Sequence, residues 1–252
     1  MIIDAPRVCH IPLLRELWKE AFGDTDAWLD TFFNTAFSLS RCRAVIENNE
    51  IIAALYWFDC EAYAQPVAYL YAIATKESHR GKGLCRLLME NTHKHLATLG
   101  YAFSILVPAE KSLFDFYRKM GYHAFSFVRY ITAWAEGETA PLEQLSKEEY
   151  AARRRLFLPK GGVVQEKENL DFLSTQSTLY ASKDCVFAAR KEGDTLWITE
   201  LLGSTALAGR IVSALGCQKG RFRTVGGEPF AMYHSLTNKD GKAPTYFGLA
   251  FD

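Results

Sequence analysis

Between residues 75 and 85 the chain reads TKESHRGKGLC, which puts Arg80, Gly81, Lys82 and Gly83 in consecutive positions. Glycines let a backbone approach a ligand closely, and the two cations add positive charge. If a helix opens at Leu84, its first-turn amides and the positive end of its dipole are directed at the same point. Free N–H groups, dipole and flanking cations together make a nest for an anion, phosphate above all. The common nucleotide loops do not fit. Gly81-Lys82-Gly83 lacks the four-residue spacer and Gly-Lys-Ser/Thr ending of a P-loop, and it lacks the third glycine and later acidic partner of a dinucleotide fingerprint. An ordinary turn that starts a helix is the alternative for the same residues.

A nest of this kind needs a strand running in and a helix leaving. PVAYLYAIAT predicts that strand, and LCRLLMENTHKHLATLG predicts the helix, with Leu84, Leu87, Leu88, Leu96 and Leu99 toward one side and Gly100 as the stop. Upstream, HIPLLRELWKEAFGD and AWLDTFFNTAF carry helical spacing, and RCRAVIENNEIIAALYWFD splits around ENNE into a hairpin. Downstream come a strand (AFSILVP), a helix (KSLFDFYRKM) ended by Gly121, and a strand (HAFSFVRYITAWA). This order predicts an α/β (α+β) unit over residues 1–135, a mixed central sheet flanked by helices. Residues 136–150, charged and containing Pro141, predict a connection. Residues 151–252 repeat the order in reduced form. VFAARKEGDTLWITELLG gives two β-rich runs around EGD, STALAGRIVSALG a helix, and FRTVGG and TYFGLAF two strands. The loop of that second half, GSTA, has neither the arginine nor the paired glycines, so no cofactor site is expected there.

The whole chain constrains what such a unit serves. With 252 residues, 49% hydrophobic and 23% charged, it has ample material for a core. Lys+Arg and Asp+Glu are both 29, which gives no overall field for nucleic acid or an anionic membrane. The six cysteines are scattered, without a CxxC pair or a Cys/His ligand set, and read as reduced thiols. Asp4 and Pro6 interrupt the N-terminal stretch, no run is long enough to span a membrane, and a cytoplasmic protein is expected. His93 and His95 lie two apart on the predicted helix and face different ways, so they cannot share a metal; a solvated face is expected for them and for Arg153, Arg154, Arg155 and Lys160.

The loop, standing as Arg80-Gly81-Lys82-Gly83-Leu84-Cys85, resembles the Arg/Gln-x-x-Gly-x-Gly/Ala signature of the GCN5-related N-acetyltransferase superfamily, with Cys85 in place of the final small residue. A second block, LVPAEKSLFDFYRKMGY, lies at the distance that family has, with Glu110 near the place where an asparagine is common. LRELWKEAFGD, SLFDFYRKMGY and YFGLAFD further resemble tandem members related to the enhanced-intracellular-survival protein, without their sterol-carrier-like domain. The resemblance covers residues 10 to 130 in motifs and the remainder in architecture only, as a degenerate second unit.

It implies acetyl-CoA as co-substrate, no metal, and direct transfer to a small-molecule or peptide amine in a ternary complex. Ile73, Ala74 and Thr75 would pair with pantetheine, and the loop from Arg80 to Cys85 would hold the pyrophosphate. Tyr117 matches the tyrosine that protonates the departing thiolate; a phenol with pKa about 10 carries that proton at neutral pH. Tyr117 also belongs to an aromatic stripe with Phe114 and Phe116, a pattern of ordinary core. Trp28, on the second helix, and Glu61 are candidate acceptor contacts. For the base that deprotonates the amine, Glu47, Asp59, Glu61, a water and the terminal carboxylate of Asp252 all stand open. A coenzyme A-binding regulatory or sensor module without turnover is the alternative reading, and turnover over a panel of amines separates the two.

Overall fold

The structure, a computed structural model, describes residues 1–237 and 241–251. Strand β1 (Ile2–Asp4) precedes helices α1 (Ile11–Phe22) and α2 (Asp26–Thr35). Apolar residues at helical spacing make α1 amphipathic: Leu14, Leu17 and Trp18 are buried, and Gly23 ends the helix at φ 74°. Strands β2 (Cys42–Glu47), β3 (Glu50–Ala62) and β4 (Gln65–Thr75) form an antiparallel meander. Helix α3 (Leu84–Thr98) then crosses to β5 (Phe103–Leu106), which pairs parallel to β4. Helix α4 (Lys111–Arg118) leads to β6 (His123–Trp134).

The second half begins with β7 (Glu143–Gln144), α5 (Lys147–Phe157), β8 (Val164–Gln165) and α6 (Glu168–Ser174). It continues through β9 (Thr178–Ala181), β10 (Cys185–Glu192), β11 (Thr195–Gly203), α7 (Ala208–Ala214), β12 (Lys219–Val225) and β13 (Glu228–Ser235). The step from β11 through α7 to a parallel β12 repeats the step from β4 through α3 to β5. Among the described residues one 13-stranded mixed sheet carries both halves, in the order β1-β2-β3-β4-β5-β13-β6-β12-β11-β10-β9-β7, with β8 on β3. The halves are interleaved. β13, from the end of the chain, lies antiparallel between β5 and β6, while β6 pairs on its other side with β12.

The two faces of the meander have separate cores. Leu55, Trp57, Ala68 and Leu70 pack with Leu88, Met89 and Leu96 of α3. Tyr56, Phe58 and Tyr69 face α1 and α2, and this core extends to α5, α6 and the C-terminal run. A third lies under α7, around Phe187, Ile198 and Phe222.

Several expectations need correction. TYFGLAF is not a strand: it makes one isolated bridge, Tyr246 with Gly162. Its rings go into the core instead, and its backbone is held by scattered donors and acceptors in place of a ladder. Ser126 Oγ donates to Phe247 O at 2.7 Å and accepts from Phe247 N, Gln165 Nε2 donates to Leu249 O at 2.8 Å, and Arg223 Nη2 donates to Ala250 O at 3.0 Å. Arg154 is not on a solvated face. Its guanidinium grips Glu200 at 2.6 and 3.1 Å and donates to Val163 O at 3.0 Å, with both side chains buried. On α3, Leu87 and Leu99 are exposed while Met89 and Thr92 are buried with Leu88 and Leu96, so the helix is rotated relative to the leucine stripe.

Candidate active site

Strand β4 is irregular where the site begins. Among the described residues its ladder with β5 spans Val67, Ala68 and Tyr69, and beyond Tyr69 its ladder partner is β3. The β3–β4 register shifts between Ala54 and Tyr56, and opposite that shift Ala72 has a φ of 48°. A non-glycine residue in the left-handed region is strained, and a bulge re-aims the groups around it. The strand end is then fixed to the loop, since Arg80 Nε donates to Thr75 O at 3.2 Å.

The loop is braced from below. Glu77 N donates to Glu20 Oε1 of α1 at 2.6 Å, and Lys76 pairs with Glu50 at 2.9 Å. Gly81 and Gly83 adopt φ of 75° and 77°, and a Cβ built at either would meet no atom within 4 Å. The glycines therefore serve backbone conformation, and the space above them is open. Gly83 caps α3 without a side chain, so no side chain occupies the first-turn amides of Leu84, Cys85 and Arg86. Lys82 and Arg80 are exposed beside them. Three donors at a helix start, open space and two cations fit a pyrophosphate.

Tyr117 lies in the same core as Ile73, Leu84 and Cys85. It is 8% exposed, with ring contacts to Phe116 at 5.3 Å and Tyr122 at 5.8 Å. Burial, reinforced by the neighbouring Cys85, pushes its phenol above the ordinary range, so it stays protonated. Burial likewise pushes the Cys85 thiol up to about 11, which keeps it a neutral packing group.

Behind Tyr117 stands a polar cluster that sequence reasoning missed. The Tyr122 hydroxyl lies 2.8 Å from His93 Nε2 and 2.8 Å from Ser104 Oγ, and Ser104 Oγ is 3.2 Å from His93 Nε2. His234 of β13 stacks on His93 at 4.3 Å. His93 is thus half-buried and bonded inward, a correction to the solvated face expected for it. Burial, then the charge of His234, lowers its pKa from 6.5 to about 3. Between those values the unfolded chain binds a proton that the folded chain refuses, so this group costs stability as pH falls below 6.5. Melting temperature should fall less steeply from pH 7 to about 4 in His93→Gln than in the natural protein; parallel slopes would refute this.

The other candidates are dispersed. Trp28 is on the opposite face, edge-on to Phe172 of α6 at 5.6 Å, and its indole Nε1 is buried with no hydrogen-bond partner among the described residues. Glu61 is exposed at the far end of β3, opposite Pro66 and about 20 Å along the strand from the bulge. Glu47 sits opposite Glu50 at the hairpin end. Asp59 accepts the Tyr101 hydroxyl and faces Arg41 at 3.6 Å. Asp252 lies outside the described residues; its neighbour Phe251 packs on Phe58 at 4.8 Å. Among the described residues no group of three or more His, Cys, Asp or Glu could hold a metal, and no helix is long and apolar enough to cross a membrane.

Residues 10–125 match the protein family described as an acetyltransferase (GNAT) domain. No curated protein matches the chain. Among solved structures, a GCN5-related N-acetyltransferase from Kribbella flavida superposes with a TM-score of 0.70 at 16% identity, over 92% of this chain and 70% of that one. Eis1 from Mycobacterium abscessus gives 0.65 at 14%, over 94% and 74%. A putative acetyltransferase from Pyrococcus horikoshii gives 0.67 at 11%, over 98% and 93%. At these identities the likeness concerns the fold, which is the mixed sheet flanked by helices described above.

Proposed function

We propose that this chain, whose residues 10–125 match the acetyltransferase (GNAT) domain family, moves an acetyl group from acetyl-CoA to an amine by direct transfer. The observation that carries the reading is the left-handed Gly81–Gly83 loop opening α3 at the point where β4 has left β5. In this reading the first-turn amides, with Arg80 and Lys82, hold the pyrophosphate. The end of β4, Ile73 to Thr75, which lies beyond its pairing with β5, aligns the pantetheine arm, as an added strand would be aligned.

The chemistry then runs without a covalent enzyme intermediate. The neutral amine nitrogen attacks the thioester carbon, the new C–N bond forms, and the C–S bond breaks. The departing sulfur takes the hydroxyl proton of Tyr117, whose burial has kept that proton in place, and the proton that the attacking nitrogen sheds passes to water, from which the phenol is restored for the next turnover. Asp59 is not assigned as the base for the amine, because its carboxylate is committed to Tyr101 and Arg41.

One coenzyme A per chain is expected by calorimetry. The corresponding turn of the second half has no glycine pair, and Ser204 Oγ already accepts from Ala206 N at 3.3 Å. Release of free thiol from acetyl-CoA over a panel of amines tests transfer itself. A stoichiometry of two would contradict the single-site reading; binding with no turnover on any amine would favour a coenzyme A-binding module.

A further inference from the structure

Tyr117 stands on α4, a helix of eight residues, in the core that α3 also fills, and a phenol on so short a helix needs something to rest against. That surface is Tyr122. It follows the turn at Gly121, where φ is 84°, and its ring is fully buried, edge-to-face with Tyr117 at 65°. Tyr122 is itself held from two elements, by His93 of α3 and Ser104 of β5, each at 2.8 Å. Burial keeps His93 neutral, so Nε2 either donates or accepts. In the one tautomer Tyr122 donates to Nε2 and accepts from Ser104; in the other it accepts from Nε2 and donates to Ser104. Either way its hydrogen is used inside the triangle, and Tyr117 receives a ring edge and no competing hydrogen bond. Among the described residues nothing hydrogen-bonds the Tyr117 hydroxyl, which leaves it available to a sulfur.

We propose that Tyr122, fixed by His93 and Ser104, is the positioning residue for Tyr117. This rests on Tyr117 being the proton donor. Without its clamp the Tyr122 ring keeps its packing but loses the two bonds that set its tilt, and Tyr117, which rests on it, shifts with it. Misplacement of a reacting group by about 1 Å can cost around a hundredfold in rate.

Acetyl transfer from acetyl-CoA to the best amine of the panel is measured for Tyr122→Phe, Tyr117→Phe and the double variant, with coenzyme A affinity by calorimetry. Tyr122→Phe should lower kcat by about tenfold to a hundredfold, leaving coenzyme A affinity unchanged. The double variant should be no slower than Tyr117→Phe alone, because the effect of Tyr122 passes through Tyr117. His93→Gln, whose amide still reaches Tyr122 from the same turn of α3, should retain most of the rate that His93→Ala loses. If Tyr122→Phe does not fold, Ser104→Ala, which removes one half of the clamp, is read the same way. An unchanged kcat in Tyr122→Phe beside a slow Tyr117→Phe overturns the positioning role alone, as do losses that add in the double variant. A fully active Tyr117→Phe overturns the proton-donor reading and this inference with it.

Discussion

Gly83→Val should abolish measurable coenzyme A binding while the protein remains folded. At φ 77° a β-branched residue is forced out of the left-handed region, and the backbone must rotate to accommodate it. The fold tolerates the change because a Cβ at this exposed position meets no atom within 4 Å. The ligand does not, since the rotation swings the amides of Leu84 and Cys85 away from their common focus. Hydrogen bonds to a charged group contribute about 1.5–3 kcal/mol each, so losing two weakens binding by more than about a hundredfold. Calorimetry with coenzyme A checks the loss, and circular dichroism checks the fold. Normal affinity in a folded Gly83→Val protein would remove the loop from the site.

Tyr117→Phe should bind coenzyme A as the natural protein does and turn over far more slowly. The phenylalanine ring keeps the contacts with Phe116 and Tyr122, so only the proton is lost. Positioned acid catalysis is typically worth about a hundred- to ten-thousandfold, and a drop of that size is expected in the rate of a single turnover. Measuring a single turnover keeps product release out of the comparison. A rate equal to that of the natural protein would take Tyr117 out of the chemistry and return it to the core.

The parts of the site that were legible are those where backbone geometry forces a residue type. Positive φ at 81 and 83 asks for glycine, and arginine and lysine beside a helix start ask for an anion. The bulge at Ala72 left no such mark, because alanine is unremarkable in a strand and its φ of 48° is imposed by the β3–β4 register. His93 read as surface because a single polar residue on a helix carries no sign of what lies across from it. Its partners Ser104, Tyr122 and His234 come from three other places in the chain. Leu87 and Leu99 showed the converse: leucine favours helices and so marks a helical stretch without fixing which face is buried. TYFGLAF has the apolar content of a strand, and remote donors, among them Ser126, Val163 N, Gln165 and Arg223, let it stay irregular. The strand run of EPFAMYHS in β13, and above all its place between β5 and β6, depends on which edges are open after everything else has paired. No local pattern records that.

That placement has a consequence for how the protein is made. As the chain leaves the ribosome, β5 is complete at Leu106, yet the strand that covers its outer edge starts only at Glu228. At ordinary elongation rates the gap lasts roughly ten seconds. During it Phe103, Ile105 and Leu106, all buried in the finished molecule, stand beside an open row of backbone donors and acceptors. Such an edge recruits other chains. The half that carries the Gly81–Gly83 loop is therefore synthesised before the other and is among the last parts to be finished, and its early lifetime depends on whatever shields that edge until the distal strand arrives.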